Sequence, residues 1–204
     1  MFISNALPTS PGNPPAPCRF ARIGRQGPPG CRRHAARKEP AGPSGPAWRR
    51  RRCQLRRRVH KALGLELPGA LTLVANGDTS LQWLGPDEWL LIVPGGSEFE
   101  VEGKLREALD GQHISVVNVS GGQTLLELSG PKVRELLMKS SSYDVHPNNF
   151  PVGKAVGTVF AKSQLVIRHT GEDTWELLIR RSFSDYFWLW LQDASAEYGL
   201  AVEA

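Results

Sequence analysis

The chain has 204 residues, with 25 Lys and Arg against 20 Asp and Glu, for a formal net charge of +5. That sum hides an uneven split: residues 1–58 hold 14 of the basic residues and 1 of the acidic ones, for +13, while residues 59–204 hold 11 and 19, for −8. No stretch reaches the length of a membrane span, and the N-terminus lacks the compact apolar region of a secretory signal, so a membrane-embedded or exported protein is not expected.

Residues 1–58 carry all three cysteines (Cys18, Cys31, Cys53), 10 of the 16 prolines and only 6 residues of the Leu, Ile, Val and Phe class. A segment so poor in large apolar side chains cannot bury a core, and the composition predicts a disordered basic tail over 1–58. Three readings of it stay open. Arg49–Arg52 and Arg56–Arg58 suit phosphate binding. An Arg-rich, acid-poor N-terminus also suits a transit peptide. The Arg, Pro, Ala and Gly bias is also what out-of-frame reading of GC-rich DNA yields, and an inert or artefactual tail is preferred, because charge runs are usually just solvated. A nucleic-acid partner is therefore not expected. Residues 59–204 are predicted to form a single α+β domain. They contain no cysteine, which excludes a disulfide framework or a thiolate metal site, and a reducing cytoplasm is the expected setting.

Val59 to Leu65 reads as the end of a helix, with Gly64 as its stop. Ala70 to Val74 reads as a strand closed by the hairpin signal Asn76-Gly77-Asp78. Next comes the stretch around which the domain is organised. Leu84-Gly85-Pro86-Asp87 is a turn, and Trp89-Leu90-Leu91-Ile92-Val93 is a short apolar run ending at Pro94-Gly95-Gly96. Such a run predicts a strand buried on both faces, hairpinned to Ser80–Trp83 at the centre of a sheet. Ser97-Glu98-Phe99-Glu100 is written as a capping box opening a helix with Val101, Leu105 and Leu109 inward and Glu100 facing Lys104. Strands follow at Ser115–Val119 and Thr124–Leu128, joined through Ser120-Gly121-Gly122. Ser129-Gly130-Pro131 starts a helix with Val133, Leu136 and Leu137 inward. Tyr143 to Gly153 is a loop. Three strands, Thr158–Ala161, Leu165–His169 and Trp175–Arg181, precede a helix capped by Ser184 and stopped by Gly199.

The chemistry on offer is thin. His60, His113, His146 and His169 have no metal-ligand spacing, and His146 reads as a loop histidine bonded to nearby backbone. Asp87 and Glu88 read as neighbours on a strand that face opposite sides, so a carboxylate dyad is not expected. Gly121-Gly122 is not a phosphate loop. Arg180-Arg181-Ser182 suits either a carboxylate or phosphate, or the carbonyls of a strand end. No catalytic residue and no metal site is expected in this chain.

The last helix is more informative. Phe187, Trp190, Leu191, Ala194 and Tyr198 make one apolar stripe. Leu189 lies opposite it, and Tyr186 and Trp188 flank it. Aromatic-rich surface of this kind marks the centres of interfaces. Tyr186, Trp188 and Leu189, with Arg180 and Arg181 at the rim, are the expected subunit contact.

Taken together and in order, several motifs resemble the gamma subunit family of heterotetrameric sarcosine oxidase. They are Leu84-Gly85-Pro86-Asp87-Glu88-Trp89-Leu90-Leu91, Leu128-Ser129-Gly130-Pro131, Asp144-Val145-His146, Phe150-Pro151-Val152-Gly153 with Thr158, and Arg181-Ser182-Phe183 with Tyr186 and Trp188. Three features depart from that pattern, the first being that the family carries strand material upstream of its first helix, which residues 1–58 are not expected to supply. The family's Asp-Val-Ser is Asn118-Val119-Ser120 here, and its following basic residue is replaced by Gly121-Gly122-Gln123. The resemblance implies an α+β fold with a largely antiparallel sheet and packed helices, like the folate-binding domain of aminomethyltransferases. It implies alpha, beta and delta subunits as partners. It implies that FAD, FMN, NAD and tetrahydrofolate sit on those other subunits, and that this chain is a non-catalytic part of an enzyme converting sarcosine to glycine. A free-standing folate-binding or aminomethyltransferase-like protein is the alternative.

Overall fold

The computed structural model describes residues 2–5, 19–24 and 46–203, with side chains described from Cys53 to Val202. The strands are β1 (Phe2–Asn5), β2 (Arg19–Gly24), β3 (Leu73–Asn76), β4 (Thr79–Gly85), β5 (Glu88–Val93), β6 (Ser115–Asn118), β7 (Gln123–Ser129), β8 (Ala155–Phe160), β9 (Ser163–His169), β10 (Thr174–Arg180) and β11 (Ala201–Glu203). The helices are α1 (Pro46–Leu63), α2 (Glu98–Ala108), α3 (Val133–Ser140) and α4 (Ser184–Ser195), the last preceded by a 3-10 turn at Arg181–Phe183. The strands form a six-stranded sheet in the order β11-β1-β7-β10-β9-β8 and a five-stranded sheet in the order β3-β4-β5-β2-β6. Pairing is antiparallel throughout except between β1 and β11.

Three apolar clusters order these elements into four layers. Val59, Leu81, Trp89, Leu91 and Leu105 join α1 and α2 to the outer face of the five-stranded sheet. Leu90 and Ile92 meet Leu178 between the two sheets. Leu128, Leu136, Phe150, Trp175 and Phe187 join α3 and α4 to the outer face of the six-stranded sheet. Alternation along the strands produces this arrangement, since odd and even residues of β5 and β10 serve different layers.

β5 is the central strand of its sheet, and every residue from Trp89 to Val93 is buried, as its continuous apolar run predicts. The expected hairpin between β3 and β4 is present, with Gly77 at φ +57°. β6 and β7 belong to different sheets. The chain crosses between them at Ser120-Gly121-Gly122, where the Asn118 side chain accepts from the Ser120 amide at 2.9 Å and Gly121 takes φ +87°.

The expected disordered tail over 1–58 needs correction wherever the structure describes it. β1 pairs with β7 and β11, and β2 lies between β5 and β6. A boundary at residue 58 would cut α1, which runs to Leu63 and is stopped at Gly64 with φ +68°. Sheet pairing stabilises these segments where composition alone would not. Residues 6–18 and 25–45 lie outside the described residues. Arg58 also has a structural task. Its guanidinium donates to the carbonyls of Ala108 and Asp110 at 3.1 and 2.9 Å, a cation on the C-terminal carbonyls of α2.

Two expected caps are also replaced. Ser97 already has helical backbone angles, and its hydroxyl turns back to the Pro94 carbonyl at 2.7 Å, while the Glu98 carboxylate accepts from the Gly96 amide at 2.8 Å. Ser184 is the first residue of α4, and its hydroxyl donates to Arg181 rather than capping. The Glu100–Lys104 pair is present at 2.6 Å.

Candidate functional site

The inner face of the six-stranded sheet carries three rows of side chains, set by strand register. The first row is Gln123 opposite Arg180, with Gln164 opposite Val159. The second is Leu125, Leu178, Val166 and Gly157, and the third is Glu127, Glu176, Arg168 and Ala155. The five-stranded sheet covers the second and third rows unequally, and overhang of the first leaves an open cleft of about 520 Å³. Val166 and Leu178 line the cleft beneath Gln123, Gln164, Val159 and Arg180.

The third row is closed by charge. Arg168, 3% exposed, pairs with Glu176 at 2.9 Å and donates to the Ser80 hydroxyl of β4 at 2.6 Å, tying one sheet to the other. Burial pushes the Glu176 carboxyl above its ordinary value; Arg168 pulls the other way, and Glu127 across the strand adds to the rise. Gln82, on the same face of β4 as Ser80, is fully buried with neither amide atom hydrogen-bonded. These polar residues face another sheet, so strand alternation alone assigns them wrongly to solvent.

The histidines are spent on local structure. The His146 ring accepts from the Asn148 amide at 3.3 Å, in a turn where its carbonyl holds the amides of Asn149 and Phe150. His169 is buried, stacked on Trp175 at 3.8 Å, with its ring nitrogens 3.1 and 3.3 Å from the carbonyls of Phe150 and Glu172. Among the described residues no group of three His, Cys, Asp or Glu is placed to hold a metal ion. No helix among them is long and apolar enough to cross a membrane.

The five expected contact residues do not share one surface. Tyr186 and Trp188 are half-buried against the α3–α4 core, and the Tyr186 hydroxyl accepts from the Lys162 amide at 3.3 Å. Leu189 is 64% exposed on the outer side of α4, and Phe183 below it is 42% exposed. Arg180 is exposed and lines the cleft on the opposite face of the sheet. Arg181 is exposed, and its amide donates to the Gly122 carbonyl at 3.1 Å. Sequence reasoning missed Gln164 and Gly157 and noted Gln123 only as a departure from the family pattern; the signal was the register that aligns them with Arg180 and Val166.

Known proteins share both this arrangement and its sequence. Residues 53–197 match the family described as sarcosine oxidase, gamma subunit. The sarcosine oxidase subunit gamma of an Arthrobacter species is 40% identical over 139 residues, 67% of this chain and 68% of that protein. A chain of the heterotetrameric sarcosine oxidase of Corynebacterium sp. U-96, solved with pyrrole 2-carboxylate, matches with a TM-score of 0.71 at 27% identity. That match covers 93% of this chain and 85% of the other. Aminomethyltransferase T of the glycine cleavage system of Bartonella henselae has the same fold, at a TM-score of 0.62 and 12% identity, over 98% of this chain and 47% of its own length. The expected α+β class with antiparallel sheets is therefore present, and the chain belongs to the sarcosine oxidase gamma subunit family.

Proposed function

We propose that this chain is the gamma subunit of a heterotetrameric sarcosine oxidase, and that it shapes and stabilises the complex without catalysing the reaction itself. The complex would convert sarcosine to glycine with tetrahydrofolate and oxygen, in the cytoplasm, beside alpha, beta and delta subunits that hold FAD, FMN, NAD and the folate. Family membership carries this reading. The non-catalytic part of it is a reading of the sequence, in which no catalytic pair or flavin-binding fingerprint is found. The outer side of α4 around Leu189 is the proposed contact, with Tyr186 and Trp188 backing it and Arg181 at its rim. Arg180 falls on a separate face.

The test is co-expression with the other subunits followed by purification on a tag carried by this chain. Recovery of flavin-bearing partners is expected. Recovery of the chain alone, while the other subunits assemble without it, would defeat the reading. Sarcosine turnover by the isolated chain with added flavin would defeat its non-catalytic part.

A further inference from the structure

We infer that the cleft under Arg180 is a second docking site, filled in the complex by an extended segment of another subunit that brings a carboxylate and an apolar side chain. The inference rests on the subunit reading above.

Three features of the cleft define its occupant. The first is charge. Residues 59–204 carry −8, yet the cleft is lined by an exposed guanidinium, that of Arg180, which makes no ion pair among the described residues. An acidic group is the natural partner of such a cation, and a guanidinium takes a carboxylate with two parallel hydrogen bonds. The second is shape. Gly157 sits in the row with Val166 and Leu178, and a Cβ built there meets no atom within 4 Å. The missing side chain leaves an apolar floor open beside Val159, which is 45% exposed.

The third feature favours polypeptide over a small molecule. β8 is the outer strand of its sheet, and its ends are closed. The Ala155 amide donates to the Leu71 carbonyl at 3.0 Å, and the Ser141 hydroxyl donates to the Val159 carbonyl at 3.2 Å. Between them the backbone N–H and C=O of Gly157 point away from β9 by the same alternation, and among the described residues no other segment pairs with them. β8 has no lysine, proline or bulge of the kind that usually protects a strand edge. Gln123 adds a buried amide oxygen with no donor, at the wall of the same cleft. A peptide segment supplies both backbone donors and acceptors for these groups.

The test puts variants in competition with the wild-type chain for limiting partner subunits during co-expression, with shares in the purified complex read by intact mass. Arg180→Glu removes the cation, and Gly157→Leu fills the cleft. Each is expected to fall to a tenth or less of the wild-type share, with Arg180→Gln between. Neither site bears on the core: Arg180 is exposed and Gly157 faces open space. Equal shares for Arg180→Glu and wild type, or for Gly157→Leu and wild type, would overturn the cleft as a docking site while leaving the subunit reading intact. Failure of the wild-type chain to enter any complex would overturn both.

Discussion

The two faces of the six-stranded sheet are built from the same strands and have different natures. On the helix side, Leu126, Leu128, Ile167, Trp175, Leu177 and Ile179 are all buried under α3 and α4, and Phe150 plugs the layer from the loop. On the inner side, three successive rows pass from a buried ion pair, through leucine and valine, to an open amide and guanidinium row. The first face is uniform and serves stability. The second is graded, closed at one end by Ser80 of the other sheet and open at the other. Gln123, Gln164 and Arg180 collect at that open end, at the cleft proposed above for docking.

The largest effect comes from removing the cover. Deleting residues 1–24 takes β1 from the six-stranded sheet and withdraws β2 from between β5 and β6. β6 then loses its only strand partner in that sheet among the described residues. Loss of a cooperative thermal transition is expected. A deletion variant that melts like the full chain would mean that the inner face stands without this cover.

Next in size is the helix side. Phe150 is fully buried, 5.7 Å from the Tyr143 ring and 5.2 Å from that of Trp175. Phe150→Ala should cost about 3–5 kcal/mol in denaturant unfolding, from lost burial and an unfilled cavity. A cost below about 1 kcal/mol would contradict the uniform, tightly packed character of this face.

The closed end of the inner face answers to pH. Burial raises the Glu176 pKa from 4.5, outweighing the opposing pull of Arg168. The folded chain therefore holds this proton more tightly than the unfolded chain. The ionised carboxylate costs stability above the raised folded value, and that cost is relieved as pH falls through it toward the ordinary value. Glu176→Gln should flatten this part of the stability–pH curve, read from thermal melts. Arg168→Met leaves the carboxylate buried without its partner and should cost about 3 kcal/mol at neutral pH. An unchanged pH profile in Glu176→Gln would show that the pair is not the closing element.

Much of this molecule can be read from its sequence, and the gaps share a cause. The buried run of β5, the inward residues of α3 and the stop at Gly64 are local signals, and each is present, whereas α4 ends at Ser195, short of the stop expected at Gly199. β1 and β2 were not legible, because they are short segments in arginine- and proline-rich sequence whose stabilising pairs lie far along the chain. Arg168, Glu176 and Gln82 alternate with apolar neighbours, as solvent-facing residues do. Nothing in β4 or β9 announces that a second sheet stands opposite. The candidate contact was half legible for the same reason: helical spacing separates Leu189 from the stripe of α4, but only register shows that Arg180 faces the other side of the sheet.

The smallest expected effect on stability is at Leu189, which sharpens the contrast between covered and open surfaces. Leu189 is 64% exposed while Phe187 and Leu191 on either side are fully buried. Replacing an exposed leucine with serine removes little buried area, so Leu189→Ser should stay within about 0.5 kcal/mol of wild type in thermal or denaturant unfolding. Its effect should appear in assembly instead. Burying a leucine under a partner contributes up to roughly 1.5–3 kcal/mol, and the variant should lose its share of the complex accordingly. Equal competition with wild type would remove the outer side of α4 from the interface and leave the cleft as the sole candidate. A large loss of stability would show that this leucine is already covered within its own chain.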